Sequence, residues 1–182
     1  EGTTVTLTWT TSDPDGAGPC IAVSDYVDII INTEATANAG LDQTVCGIGA
    51  VAISATANGS GPWSGGLGTF DAATSTATNY NPTAAEEGTT VTLTWTTSDP
   101  DGAGPCIAVS DDVDIIINTE ATANAGSDQT VCGIGAVAIS ATANGSGPWS
   151  GGLGSFDVAT STATKYNTTA AEEGTTVTLT WT

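Results

Sequence analysis

Thr89-Thr-Val-Thr-Leu-Thr-Trp-Thr-Thr97 alternates without a break. Val91, Leu93 and Trp95 fall on one side of an extended chain, and Thr90, Thr92, Thr94 and Thr96 on the other. Successive side chains of a strand point to opposite faces, so a period of two describes a strand with one face in a core and one in water. The loop Ser98-Asp-Pro-Asp-Gly-Ala-Gly-Pro105 then reverses the chain, and Val113, Ile115 and Ile117 alternate inward on the return. The pair reads as neighbouring strands of an antiparallel sheet.

Working outward, the same strand recurs. Glu1-Gly-Thr-Thr-Val-Thr-Leu-Thr-Trp-Thr10 returns at Glu87–Thr96 and again at Glu173–Thr182, a period of 86 residues. Sliding the chain by that period leaves six differences: Tyr26/Asp112, Leu41/Ser127, Thr69/Ser155, Ala72/Val158, Asn79/Lys165 and Pro82/Thr168. Copies this alike point to an architectural task, since an enzyme needs one assembled site and a spacer needs one unit many times. Placing the boundary near Thr33, where the apolar run Val27-Asp-Ile-Ile-Ile31 gives way to small polar residues, predicts a complete repeat over 33–118. Residues 1–32 then read as the C-terminal part of a preceding repeat and 119–182 as the N-terminal part of a following one. With no Met and with its ends inside one repeated strand, the chain reads as an excerpt of a longer polypeptide.

Within the complete repeat, Gln43-Thr-Val-Cys46 is expected to be a short opening strand, and Val51 and Ile53 to share the inward face of the next. Asn58-Gly-Ser-Gly-Pro62 ends that strand by turn chemistry, Trp63 opens another, and Gly65-Gly-Leu-Gly68 breaks it. Short segments at 69–71 and 76–80 precede the Thr-rich strand. Trp63, Val91, Leu93, Trp95, Val51, Ile53, Ile115 and Ile117 form the expected core. The fold class is all-β, with tandem Greek-key β-sandwiches of about seven strands per repeat.

Twenty acidic residues against one Lys give a formal charge of −19. Nucleic acid is excluded as an expected partner, because phosphate binding needs Lys and Arg clusters. No apolar run is long enough to insert into a membrane as a helix. The absence of His and the replacement of Asn79 by the single Lys165 remove Ser-His, Cys-His and Lys-based nucleophile schemes, so no enzyme is expected.

The opening Ala37-Asn-Ala-Gly-Leu-Asp-Gln-Thr-Val-Cys46, the Thr-rich penultimate strand, the Asp-Pro-Asp-Gly loop and the closing Val113-Asp-Ile-Ile-Ile-Asn118 resemble PKD-like and related bacterial Ig-like repeats. Such repeats stand in tandem in large secreted surface proteins, including adhesins and gliding-motility-associated proteins. The resemblance covers the whole repeat, and it departs from the PKD pattern after Trp63, where Ser-Gly-Gly-Leu-Gly replaces an acidic turn. It implies an extracellular or cell-surface protein.

The four cysteines are two positions repeated, Cys20/Cys106 and Cys46/Cys132. With no His and no C-x-x-C spacing, disulfides in an oxidising compartment explain them better than zinc. Cys46 with Cys106 inside one repeat is the expected bond, leaving Cys20 and Cys132 to residues outside 1–182. The alternatives, Cys20 with Cys46 and Cys106 with Cys132, bridge neighbours. Against the first stands the parallel course of the first and last strands of a simple Ig sandwich, which would put these two positions at opposite poles.

Asp99-Pro-Asp-Gly102 and its copy Asp13-Pro-Asp-Gly16 each offer two hard oxygen ligands, Asp99 with Asp101 and Asp13 with Asp15, of the kind Ca²⁺ accepts. In an Ig-like module this loop faces the preceding domain, near Glu34, Asn38 and Asp42, and the resemblance implies a junction calcium that stiffens the hinge. The same tetrapeptide is also simply a good turn. The expected function is the repeat unit of an extracellular bacterial filament or stalk that gives reach and stiffness for adhesion or biofilm. Its expected partners are identical repeats, in the same chain or in a filament neighbour. The alternative is an adhesin module whose repeats contact a polysaccharide or host surface.

Overall fold

The computed structural model describes residues 3–102, 104 and 106–182 and is all-β. The chain divides into two compact units, one ending at Thr119 and one running from Glu120 to Thr182.

The first unit opens with a two-stranded hairpin, β1 (Thr3–Thr11) and β2 (Val23–Ile31), paired antiparallel with Thr3 opposite Ile31. Nine strands and one 3₁₀ turn follow it with few connecting residues. They are β3 (Ala37–Asn38), β4 (Gln43–Cys46), β5 (Val51–Ser54), β6 (Thr56–Ala57), β7 (Trp63–Gly65), β8 (Thr69–Phe70) and β9 (Ala77–Asn81), then the turn Ala84–Glu86, then β10 (Thr90–Thr97) and, as the ninth strand after the hairpin, β11 (Val109–Asn118). One sheet has the order β4-β11-β10-β7 and the other β5-β9-β8, while β3 pairs with β6.

These sheets face each other over one core. Val51, Ile53 and Tyr80 come from the second sheet; Trp63, Val91, Leu93, Trp95, Val113, Ile115 and Ile117 come from the first. The alternation read from the sequence is met residue by residue along β10 and β11, with Val91 opposite Ile115 and Leu93 opposite Val113. Leu93, Trp95 and Ile115 are fully buried. Each such side chain contributes about 1.5–3 kcal/mol through removal of apolar surface from water. Trp63 and Trp95 meet edge to face at 5.5 Å, and Phe70 packs 5.2 Å from Tyr80. On the outer face Thr92 donates to Asp114 at 2.6 Å, and Thr96 and Ser110 share a hydrogen bond at 3.0 Å. Such cross-strand pairs help to hold the register of two strands whose outer faces are mostly polar.

The strand order is that of an immunoglobulin-type sandwich, in which the opening segment splits between the two sheets. Its first half, β3, pairs with β6, which follows β5 of the second sheet; its second half, β4, runs parallel to β11, with Gln43 opposite Ile115 and Cys46 opposite Asn118. Gly65 marks where β7 meets β10. Its φ of +101° is a conformation that side-chain-bearing residues avoid, and an added Cβ would lie 2.5 Å from the Thr92 carbonyl oxygen.

The hairpin β1–β2 carries the same residues as the corresponding parts of β10–β11, apart from Tyr26 for Asp112, yet its apolar face is open. Trp9 is 77% exposed where its copy Trp95 is 0%. Trp63 and Trp95 are core residues as expected, and their copies Trp149 and Trp181 are buried too, whereas no second sheet lies over Trp9 among the described residues.

The second unit repeats the first part of the sandwich: β12 (Ala123–Asn124), β13 (Ala136–Ser140), β14 (Thr142–Ala143), β15 (Trp149–Gly151), β16 (Ser155–Phe156), β17 (Ala163–Asn167), the 3₁₀ turn Ala170–Glu172 and β18 (Leu179–Trp181). Its pairings β13-β17-β16, β12-β14 and β15-β18 copy those of the complete repeat.

Candidate functional site

The features that distinguish this sandwich lie at its two ends. At the entry end, the segment that leads into β3 is tied to the loop between β10 and β11. Thr33 N–H donates to Asp101 Oδ2 at 3.0 Å, and Asn32 Nδ2 donates to the Gly104 carbonyl at 2.6 Å. The next residues are fastened in the same way. Ala39 N–H donates to Asp111 Oδ2 at 2.9 Å, and Asp42 Oδ1 accepts from Asp114 N–H at 2.9 Å. Asn58 holds the backbone on both sides of Ala35, accepting from Thr36 N–H and donating to the Glu34 carbonyl. A carboxylate that accepts from a backbone N–H makes a hydrogen bond stronger than a neutral one, so a segment with little side-chain bulk is held by its acidic neighbours.

This arrangement disperses the residues expected to form a calcium junction. Asp101 is turned to Thr33, Asn38 accepts from Gly40 N–H at 2.9 Å in a local turn, Asp42 reaches β11, and Glu34 offers its carbonyl to Asn58. Asp99 accepts from Asp101 N–H at 3.4 Å, and Asp15 in the β1–β2 loop accepts from Ala17 N–H at 3.0 Å. Asp13 lies in that same loop. Among the described residues no three His, Cys, Asp or Glu side chains converge on a point where a metal ion would sit.

The exit end is defined by Cys46, opposite Asn118, and by Gly47 N–H, which donates to the Asn118 carbonyl at 2.8 Å. The cysteine expectation is corrected here. Cys106 precedes the first residue of β11 whereas Cys46 lies beside its last, so the ten-residue strand separates them by about 30 Å at the rise of an extended chain. A disulfide needs Cα atoms within about 7 Å. Among the described residues, Cys20, Cys46 and Cys132 form no disulfide. The parallel course of β4 and β11, the objection raised by the sequence, is what prevents the bond.

A buried polar cluster escaped the sequence reading. Glu86, only 4% exposed, ends the 3₁₀ turn between β9 and β10. Its Oε1 accepts from Tyr80 Oη at 2.6 Å and from Leu67 N–H at 2.7 Å, and its Oε2 accepts from Thr83 N–H at 2.8 Å and Thr83 Oγ1 at 3.1 Å. Tyr80 Oη in turn accepts from Gly68 N–H at 2.8 Å. Burial alone would raise the Glu86 carboxyl, but the N–H groups of Leu67 and Thr83 with the Tyr80 hydroxyl hold it below its ordinary value. The Tyr80 phenol is pushed up by burial and by the carboxylate it faces. Tyr166, Glu172, Leu153, Thr169 and Gly154 repeat every bond in the second unit, where the Tyr166 hydroxyl and those N–H groups bring Glu172 down to about 2. The signal was present in Thr83-x-x-Glu86, the spacing of a capping box.

The cluster is a closed set of donors and acceptors, each carboxylate oxygen of Glu86 being met by two donors. No protein-family model matches the chain, and no curated protein matches it.

Proposed function

We propose that this chain is the repeating structural segment of an extracellular bacterial filament or surface stalk, built from PKD-like or Ig-like domains, whose task is reach and stiffness rather than catalysis. The observation that carries this reading is the polarity of the complete repeat. The chain enters beside the 98–108 loop and leaves beside Cys46, at the far end of the ten-residue β11. A domain with entry and exit at opposite ends lengthens an array by its own long dimension each time it is repeated.

The tie between Thr33 and Asp101 adds the second element, a short linker clipped to the domain it enters instead of swinging free. The uniform acidity fits a surface kept apart from other acidic surfaces, which suits a stalk and gives a ligand reader little to vary. Electron microscopy of recombinant arrays of increasing repeat number is the test. A contour length that grows by about 35–45 Å per added repeat, the length of a ten-residue strand plus its loops, supports the reading. Arrays that fold into compact clusters with no constant increment would overturn it.

A further inference from the structure

Asn58 holds the entry segment with both ends of its amide. Its Oδ1 accepts from Thr36 N–H and its Nδ2 donates to the Glu34 carbonyl, each at 2.8 Å, so the side chain clasps the backbone on either side of buried Ala35. Asn144 makes the same two bonds, to Thr122 N–H at 2.8 Å and to the Glu120 carbonyl at 2.7 Å. The position asks for one acceptor and one donor on a short side chain, which asparagine supplies and an ionised aspartate does not.

The residue after it is fixed for a different reason. A Cβ on Gly59 would overlap the Ser98 carbonyl oxygen and lie 2.6 Å from Thr97 Oγ1, where the turn presses against the end of β10. Next to it, the Ser60 carbonyl accepts from Ser98 N–H at 2.7 Å and from Ser98 Oγ at 2.8 Å. Hydrogen bonding and packing thus require an Asn-Gly pair, and Asn58-Gly59 and Asn144-Gly145 are the two such pairs in the chain. Chemically the pair is short-lived, because glycine has no side chain to keep its backbone nitrogen away from the neighbouring amide carbon.

We propose that Asn58 is a deamidation site gated by its own clasp, and that its conversion releases the entry segment irreversibly. In the reaction the Gly59 backbone nitrogen attacks Asn58 Cγ. A bond forms between these two atoms, the Cγ–Nδ2 bond breaks, and the proton lost by Gly59 leaves with Nδ2 as ammonia. Water then opens the cyclic imide at either carbonyl, leaving an aspartate or an isoaspartate with no change of oxidation state. While the clasp is shut, the Glu34 carbonyl engages Nδ2 and Thr36 N–H engages Oδ1, so Cγ is not free to turn toward the Gly59 nitrogen. The reaction therefore proceeds through local opening of the entry segment. Either product ends the clasp. A carboxylate puts an acceptor against the Glu34 carbonyl where a donor stood. Isoaspartate also adds a methylene to the main chain inside a turn that Ser60 and Ser98 fasten to β10.

The test is ageing of the full 182-residue chain in mildly alkaline buffer, folded and in urea, followed by peptide mapping. Cleavage before aspartates yields 42–70 and 128–156, which differ at Thr69/Ser155 and report the two sites separately. Two hydrogen bonds reduce the open population about ten- to a hundredfold, so deamidation at Asn58 is expected to be slower by that factor in the folded chain than in urea. Ala35→Asp unseats the buried residue between the two bonds. It is expected to remove the protection at Asn58 and to leave Asn144 at its wild-type pace. Asn58→Asp is expected to fold and to exchange its amides over 33–36 at least about tenfold faster than wild type, with β10 and β11 unchanged. Asn58 reacting as fast folded as in urea, or slowed by more than about a thousandfold, overturns the proposal. So does a folded Ala35→Asp chain with an unaltered rate at Asn58, or an Asn58→Asp chain whose 33–36 amides stay as protected as in wild type.

Discussion

Glu86 offers the sharpest perturbation of this fold. Glu86→Ala removes the acceptor from Leu67 N–H, Thr83 N–H and Tyr80 Oη in one step. A buried donor left without a partner costs about 1–3 kcal/mol, and partial access of water to the turn reduces the sum of three to about 3–5 kcal/mol. That is a large share of the ~5–15 kcal/mol that holds an ordinary domain together. It corresponds to a fall in Tm of about 15–25 °C for a domain of this size. Glu86→Gln keeps the volume but turns an amide NH₂ toward donors, for an expected loss of about 2 kcal/mol. Hydrogen-exchange mass spectrometry on the full chain reads the two units separately, since peptides over 66–80 and 152–166 differ at Thr69/Ser155. Faster exchange is expected in the first peptide only. The pH dependence follows from the direction of the shift. The folded state holds the Glu86 carboxyl below its ordinary value of 4.5, so this stabilisation is complete above 4.5 and disappears as the pH falls through the folded value. For the twin Glu172 the window runs from 4.5 down to about 2. The gap between wild type and Glu86→Gln should therefore close on acidification. A Glu86→Gln chain within about 0.5 kcal/mol of wild type at neutral pH, or a gap unchanged at low pH, would refute the reasoning.

Three further outcomes are expected. Gly65→Ala should lower stability by about 2–3 kcal/mol in denaturant titration, because the φ of +101° and the Thr92 carbonyl at 2.5 Å both oppose a Cβ. Asp101→Ala should accelerate amide exchange at Thr33 while leaving β10 and β11 protected, since it removes the carboxylate that accepts from that N–H. After mild oxidation, peptide mapping should recover no link between Cys46 and Cys106; a Cys46–Cys106 peptide would contradict the geometry of the two ends.

What the sequence disclosed depended on whether a residue's role was local. The alternation in Thr89–Thr97 and Val113–Ile117 reports directly which side of a strand is apolar, and β10 and β11 bury those residues. The turns at Asn58–Pro62 and Gly65–Gly68 were equally visible, because Gly and Pro act through their own φ. Pairing between distant segments was not. Nothing in Gln43-Thr-Val-Cys46 states that it lies parallel to β11, and a disulfide inferred from spacing alone therefore joined two ends of one strand. The carboxylates illustrate the same limit. Asp101 and Asp42 look like ligands when counted along the chain, yet each meets a different backbone N–H once folded. Glu86 is one of twenty acidic residues in the sequence, and only the convergence of Tyr80, Leu67 and Thr83 shows it to be interior.

The parallel ladder of β4 with β11 also determines how the domain carries load. When a repeat is pulled from its two ends, tension enters near β4 and leaves from β11, and the two strands are drawn in opposite directions along their common axis. The inter-strand hydrogen bonds lie across that axis, so the pairs from Gln43/Ile115 to Cys46/Asn118 are sheared together. An antiparallel hairpin pulled at its open end unzips one bond at a time and yields at low force. Here the ladder must fail as a unit, with Gly47 N–H to Asn118 O added at its end, before the sandwich behind it feels the pull. Four residues that make a minor strand in the sheet thus act as the mechanical latch of the repeat.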